Sequence, residues 1–319
     1  MQRVVSQLSR FPSTLQLQST AGFCQKYESS SEAPVRSKLE PPGSYVYIPR
    51  TFQKDYINAE EVEMEASSIY RWAKSRGAER FTFISSPHTN GVFEKHDSFL
   101  NIDYSHERLE FKDLISHDFD ASVLIRNEAD GSSVPSGGLR QTHTARAYTL
   151  WDHHSLLYVR RRNNTLYIPA LLVTHYGKAL SDKTLFRMSE TAMIKASNTL
   201  LDKLGVKHQG SKMFLGLEQE FFAISEDAYE KREDLKWLGR VLVGTNPARN
   251  QQTCQHYYAK IPHAVEQALE EVEAELLELG IPFKTRHNEV ANNQFEIACI
   301  FGDAGHTIDQ NLLAGEIIK

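Results

Sequence analysis

Cysteine is scarce in these 319 residues, and the three present, Cys24, Cys254 and Cys299, are odd in number and widely spaced. That pattern builds neither a disulfide framework nor a zinc site, and a reducing compartment fits it best. A surplus of positive charge is also lacking. Lys and Arg number 36 against 41 Asp and Glu, a formal net charge of −5, which leaves no basic face for nucleic acid. No apolar run is long enough to span a bilayer. Acidic residues are missing from the start of the chain, where Glu28 is the first. What remains fits a soluble intracellular globular protein of one large or two ordinary domains.

The acid-free stretch has a pattern of its own. From Met1 to about Gln25 it carries Arg3 and Arg10 among many Ser, Thr and Gln, and Val4, Val5, Leu8 and Phe11 fall on one helical face. This is the pattern of an organelle transit peptide over 1–27, and the address it points to is mitochondrial. A plain disordered tail is the alternative for this segment, and cytoplasm or plastid the alternative address. Residues 28–54 are rich in Ser, Pro and charge and read as a linker.

Residues 55–177 read as a small mixed domain. Asn58 can cap a helix with Glu61 reaching back, and Val62, Met64, Ala66, Ile69, Tyr70 and Ala73 supply its apolar side before Gly77 stops it. Strands are expected at Phe81–Ser85, Leu109–Phe111, Ser122–Ile125, Leu156–Val159 and Leu166–Thr174. Asp130-Gly131-Ser132-Ser133 with Pro135-Ser136-Gly137-Gly138 is a loop on its composition alone.

Residues 178–319 carry the acids that point to chemistry. A helix over Ser181–Leu204, with Met193, Ile194, Leu200, Leu201 and Leu204 on its apolar side, leads into the strand Phe214–Phe222 (FLGLEQEFF). Successive side chains alternate along a strand, so Glu218 and Glu220 share one face while Leu217, Gln219 and Phe221 take the other. Asp227–Leu242 is expected to be one amphipathic helix and Asn246–Gln255 a polar loop. Pro262 opens a long helix that ends at Gly280, with Val265, Ala268, Leu269, Val272, Leu276 and Leu279 as its buried stripe. Its glutamates, among them Glu270, Glu271, Glu273 and Glu275, read as a solvated face.

In the second acidic stretch, Lys284–Ile300, Glu289 and Glu296 are seven apart and would face opposite ways on an unbroken strand. The turn or bulge expected at Ala291-Asn292-Asn293 restores them to one face. A Glu-x-Glu on a strand is by itself most often a solvated edge. These strands are otherwise apolar, and carboxylates in such a setting need pairing or a metal. A converging set of glutamates repels itself unless protons or cations neutralise it, and the hard oxygen-seeking cations Mg2+ and Mn2+ are the natural partners.

These same residues carry a resemblance. Gly216-Leu217-Glu218-Gln219-Glu220-Phe221-Phe222, then Arg286-His287-Asn288-Glu289-Val290-Ala291 and Gln294-Phe295-Glu296, are similar to type III glutamine synthetases. Collinear blocks at Glu94–Phe99, Asp130–Ser133, Pro135–Arg140, Ala145-Arg146, Tyr148–Asp152 and Gly177–Leu180 extend the likeness from about Ala59 to the last residue. The resemblance implies an α+β fold. Its parts are an N-terminal β-grasp-like domain and then the first part of the synthetase catalytic α/β domain, an antiparallel-rich sheet with helices, cut short at Lys319.

It also implies an activity: ATP-dependent ligation of ammonia to L-glutamate through a γ-glutamyl phosphate. By the family pattern Glu220, Glu289 and Glu296 surround the metal on the glutamate side and Glu218 serves the metal on the nucleotide side. Glu289, Glu220 and Asn288 border the substrate, and Asp130 and Glu296 are placed as catalytic. Asp130 would hold ammonium in a neighbouring subunit's site, which requires a homo-oligomeric ring. Arg286 and His287, by contrast, read as surface or supporting residues.

Departures accompany the likeness. Asn292 stands where the family usually has proline, Gln310 where it has histidine, and His143-Thr144 where Glu is expected. The family's catalytic domain continues well past the point matched by Lys319. The ligase reading therefore implies an incomplete chain or a second polypeptide supplying the other half. The competing reading is an inactive paralogue that keeps the fold and serves as a binding or structural subunit of a mitochondrial assembly.

Overall fold

The computed structural model describes residues 40–50, 57–86, 92–102, 115–117, 119–129, 147–174, 177–245 and 256–319. The expected transit segment, the loop at Asp130, the strand at 109–111 and the loop at 246–255 lie outside them. The chain forms two compact units, residues 43–215 with 301–312, and residues 216–300 with 313–319.

The first unit opens with strand β1 (Val46–Tyr47) and helix α1 (Ala59–Ser75), followed by β2 (Arg80–Ser85), β3 (Phe93–Ser98), β4 (Leu100–Ile102) and β5 (Ile115–His117). Helix α2 (Ala121–Arg126), β6 (Asn127–Ala129), β7 (Ala147–Trp151), β8 (Leu157–Arg160), β9 (Thr165–Thr174), helix α3 (Asp182–Lys203) and β10 (Phe214–Leu215) complete it up to residue 215. The capping box of α1 is as the sequence predicts: Asn58 accepts from the Glu61 amide at 2.9 Å, and Glu61 accepts from the Asn58 amide at 3.0 Å. Val62, Ala66, Ile69 and Ala73 are buried, but Met64 is exposed, one step off the stripe.

Strand β9 is the spine of a seven-stranded sheet. Its first half pairs parallel with β2 and antiparallel with β8, and its second half pairs antiparallel with β7. Pro169 lies where the partner changes from β8 to β7, so its missing N–H costs no ladder bond there. Asn164, at φ 51°, makes the tight reversal between β8 and β9, a conformation Asn tolerates. The core holds Phe83, Leu157, Val159, Leu166, Ile168 and Leu172, all at most 1% exposed. Phe81, Phe99 and Phe119 cluster beside it, with ring centroids 5.1–5.7 Å apart, and Tyr70 of α1 joins them edge-on through Phe99.

Residues 122–125, expected as a strand, are helical. The reason sits one residue before α2: the Asp120 carboxylate accepts from the amides of Ser122 and Val123, an N-terminal cap that overrides the strand preference of Val-Leu-Ile. Strand β3 has no counterpart among the expected strands, because its Glu-Lys-His-Asp sequence has no apolar alternation.

One feature of this unit is ionic. Lys183, 4% exposed, donates to Asp309 at 2.6 Å and to Ser155 at 2.8 Å, and lies 3.3 Å from Asp152. Arg187 bridges Asp152 (2.9 Å) and Glu190 (2.8 Å). Burial works to raise the Asp152 pKa, but Lys183 and Arg187 outweigh it and hold the carboxyl well below the usual range. A Cβ on Gly305 would fall 2.0 Å from the Arg187 guanidinium, so glycine there makes room for the cation.

The second unit contains β11 (Glu218–Phe222), helices α4 (Glu226–Glu230), α5 (Glu233–Leu238) and α6 (His263–Glu278), then β12 (Phe283–Asn288) and β13 (Gln294–Cys299). Strand β14 (Gly302–Asp303) and the start of α7 (Ala304–Ile318) return to the first unit, where β14 pairs with β10. Two expectations are corrected. The stretch Phe214–Phe222 is two strands with separate partners, interrupted at Gly216-Leu217. Asp227–Leu242 is two short helices, not one, because Arg232 and Asp234 pair locally and Gly239 ends the second at φ 63°. Asp234 also accepts from the Leu242 amide, which folds the following residues back.

Candidate functional site

Three strands build the site, in the order β11-β13-β12, all antiparallel. The register sets Glu220 opposite Glu296 and Glu296 opposite His287, so these three side chains form one row across the sheet. Directly opposed residues share a face, and Glu218 joins them two residues along β11. The other face carries Gln219, Phe221, Phe295 and Ile297, each buried. There Arg286 pairs with Glu273 and Glu270 of α6, and the Gln219 side chain sits about 3.4 Å from where a Cβ on Gly315 would be. Strand alternation thus sorts these residues into an acidic face and an apolar one, as the sequence predicts.

Glu289 follows the last residue of β12 and starts the reversal into β13. Its amide donates to the Gln294 carbonyl at 2.8 Å, the Gln294 amide donates to Ala291, and Asn293 takes φ 59°. The predicted turn at 291–293 is therefore present, and Glu289 and Glu296 belong to the two arms of a hairpin. Both are buried, at 6% and 7% exposure.

The carboxylates converge. One oxygen each from Glu218, Glu220 and Glu296 lie within 4.8 Å of one another, and so do ligand atoms of His287, Glu289 and Glu296. Glu296 belongs to both sets. This grouping differs from the one implied by the family pattern, which joined Glu289 to Glu220 and set Glu218 apart. His287, read from sequence as a surface or supporting residue, has Nε2 3.6 Å from Glu296 and Nδ1 4.0 Å from Glu289. Arg286 is a supporting residue, engaged with α6 on the opposite face. That engagement also draws Glu273 and Glu270 away from the purely solvated role expected of them.

Electrostatics reports the crowding. Glu296 is pushed up to about 7, first by burial, then by its hydrogen bond with Glu289 and the charge of Glu218, with His287 pulling the other way. For Glu289, burial raises the pKa but is outweighed by the hydrogen bonds it accepts from Tyr257, from the Val290 amide and from Glu296, so its carboxyl lies below the usual value. One proton shared between two carboxyls is the expected compromise when like charges meet.

Supporting residues complete the picture, two of them without a role in the sequence reading. The Tyr257 hydroxyl donates to Glu289 at 2.7 Å, and that bond is the first cause raising the Tyr257 pKa to about 12. Gln294 donates to Glu220 at 2.7 Å while its own oxygen accepts from the Ala291 amide, which fixes one acid to the hairpin turn. Asn288, expected to border the substrate, is 7% exposed and donates to the Ala259 carbonyl at 2.8 Å, tying the Tyr257 segment to the sheet. The signal for Gln294 is its place on the Glu296 face; for Tyr257, 32 residues before its partner, there is none. Asp130 lies outside the described residues.

The donor set is chemically apt for a divalent cation: carboxylates with one imidazole, partly buried, mutually repelling, with Gln294 and Tyr257 orienting two of them. Among the described residues no helix is long and apolar enough to cross a membrane.

The fold has solved counterparts. Plasmodium falciparum glutamine synthetase matches at a TM-score of 0.50 and 16% identity, over 80% of this chain and 47% of that one. The class of fold is therefore that of the glutamine synthetases. Sequence comparison is more specific. Residues 31–189 match the family described as glutamine synthetase type III N terminal, and residues 198–319 match the glutamine synthetase catalytic domain. Glutamine synthetase of Bacteroides fragilis (strain YCH46) is 36% identical over 282 residues, covering 86% of this chain and 37% of that protein. Type-3 glutamine synthetase of Dictyostelium discoideum is 37% identical over 266 residues, covering 82% and 35%. The chain belongs to the type III glutamine synthetase family, and it spans about a third of the length of these relatives.

Proposed function

We propose that this chain supplies the cation- and glutamate-binding half of a glutamate–ammonia ligase, which joins ammonia to L-glutamate with ATP as co-substrate. Supporting the reading is the row Glu220–Glu296–His287 with Glu218 and Glu289 at its ends. Among the described residues, His287 is the one basic side chain within ion-pair distance of these carboxylates. A fold retains such an excess at a cost unless a ligand relieves it. Glu218, Glu220, Glu289 and Glu296 would hold Mg2+ or Mn2+. A cation held there would supply charge neutralisation of phosphoryl oxygens and the substrate carboxylate.

The chain's own groups then have distinct tasks. Glu296 would serve as a ligand in its deprotonated form, its proton having passed to solvent. Gln294 and Tyr257 keep Glu220 and Glu289 from swinging away. Asp130 would hold ammonium and accept its proton at a subunit boundary of a homo-oligomeric ring, where desolvation and neighbouring charge raise its basicity. The proposal extends to a mitochondrial address through residues 1–27, a linker over 28–54, a β-grasp-like domain over 55–177 and a portion of the catalytic domain over 178–319.

Calorimetric titration of Mn2+ into the chain is the direct test. Binding that Glu289→Ala weakens by at least about tenfold supports the assignment; unchanged binding overturns it. Hydroxamate formation from glutamate, hydroxylamine and ATP, assayed with the rest of the catalytic domain supplied, separates a ligase from a paralogue that only binds the ion.

A further inference from the structure

Among the described residues, β12 pairs with β13 alone and so leaves one edge of its sheet open. The register sorts its last two residues. His287 lies opposite Glu296 on the carboxylate face, and Asn288 lies opposite Phe295 on the apolar one. Asn288 is buried, so its side chain is turned away from the row that would hold a cation and its substrate. What it meets instead is backbone. Its Nδ2 donates to the Ala259 carbonyl at 2.8 Å and to the His256 carbonyl at 3.4 Å. These carbonyls are the two ends of one turn, because the Ala259 amide donates to the His256 carbonyl at 2.8 Å.

The same turn carries Tyr257 to the other face. Its hydroxyl reaches Glu289 at 2.7 Å, and its ring lies 5.8 Å from that of His287. Residues 256–259 therefore pass around the open edge of β12, from the carboxylate face toward α6, whose Glu273 pairs with Arg286 on the apolar face. Such a turn has little packing of its own to hold it, since Tyr257 and Tyr258 are 51% and 88% exposed. Asn suits the crossing point. One amide nitrogen offers two donors, enough for both carbonyls, whereas an ionised Asp of the same shape would offer none.

We propose that Asn288 is a positioning residue: it latches the 256–259 turn to the far side of β12 and so sets the Tyr257 ring and hydroxyl against His287 and Glu289. It acts through Tyr257 and does not touch the substrate that the family pattern sets beside it. The effect on cation binding rests on the reading of the carboxylate row as a cation site. The latch itself is read by amide exchange with no cation present.

Two measurements on the 319-residue chain and its variants test this: exchange of the Ala259 amide by NMR, and Mn2+ affinity by calorimetry. Asn288→Ala should speed that exchange by at least about tenfold. Asn288→Ala and Tyr257→Ala should each weaken Mn2+ binding by about tenfold, the size usual for groups that orient a ligand. Combined, they should still cost about tenfold and not about a hundredfold, because releasing the turn and removing the ring take away the same support. A residue that only stabilises the strand would give losses that multiply. The proposal is overturned if Asn288→Ala leaves the Ala259 amide as protected as before, if it leaves Mn2+ affinity unchanged while Tyr257→Ala lowers it, or if the two losses multiply. Should the unaltered chain bind no Mn2+, the cation reading fails and the Ala259 amide alone decides the latch. Should Asn288→Ala fail to fold by circular dichroism, Asn288→Asp, which keeps the volume and removes both donors, is read by the same exchange.

Discussion

Two clusters of buried charge sit in this chain, and they are built on opposite principles. In the first unit Asp152, Glu190 and Asp309 face Lys183 and Arg187, each carboxylate within ion-pair distance of a cation. In the second unit four glutamates form two sets joined at Glu296, with a single imidazole beside Glu289 and Glu296. The first pairs every carboxylate with a cation, three acids sharing two bases, and so reads as structure, tying the loop after β7, the start of α3 and helix α7. The second is an excess of carboxylates in which burial and its neighbours push Glu296 up to about 7, and so reads as a site. Burial alone does not separate a structural charge from a functional one; the sum of the partners does.

The largest expected effect comes from removing a cation from the paired cluster. Lys183→Met leaves Asp309 and part of Asp152 buried without their cation, at a cost of about 3–5 kcal/mol by urea unfolding near neutral pH. The pH dependence carries a sign. Asp152 has a depressed pKa in the folded chain, so its contribution is present above the ordinary carboxylate value of about 4 and is lost as pH falls further. The variant should therefore show a shallower loss of stability in acid than the parent. If Lys183→Met costs under about 1 kcal/mol, the cluster is not the tie its geometry describes.

The next test relieves the unbalanced cluster. Glu296 has a raised pKa, so its contribution is fully present below about 4.3 and is lost as pH rises through about 7. Glu296→Gln keeps the shape and a donor toward Glu289 while removing the charge. Without divalent ions it should be the more stable form at pH 8 by about 2 kcal/mol, and Mn2+ binding should fall at least about tenfold. A gain in stability with a loss of binding is the signature of a site; loss of both would recast the row as structure.

How much of this contrast the sequence discloses depends on the distance over which each signal acts. Glu218 and Glu220 can be placed on one face because strand alternation is local, and the Asn58–Glu61 box and the turn at 291–293 are equally local. The paired cluster is not legible at all. Lys183 and its partner Asp309 are 126 positions apart, and nothing near Lys183 marks it as buried. Helix α2 and the break within 226–238 elude the sequence for a related reason: Asp120 and Asp234 act through hydrogen bonds to nearby amides that hydrophobic periodicity does not register. His287 carries no mark of its own because a lone strand histidine is usually peripheral; only the register that opposes it to Glu296 brings it in.

The smallest effect tests whether neutral donors matter beside so much charge. Tyr257 is half exposed; its ring lies 5.8 Å from that of His287, and its hydroxyl, with the Val290 amide, occupies Oε2 of Glu289 while Oε1 lies toward His287. Tyr257→Phe removes one donor and no charge. The urea midpoint should barely move, and Mn2+ affinity should shift by no more than about threefold, because the ring contact with His287 and the charge of Glu289 are both kept. Should the variant lose binding altogether, the carboxylates are not sufficient to hold the ion, and the hydroxyl, not the sum of charges, would distinguish the second cluster from the first.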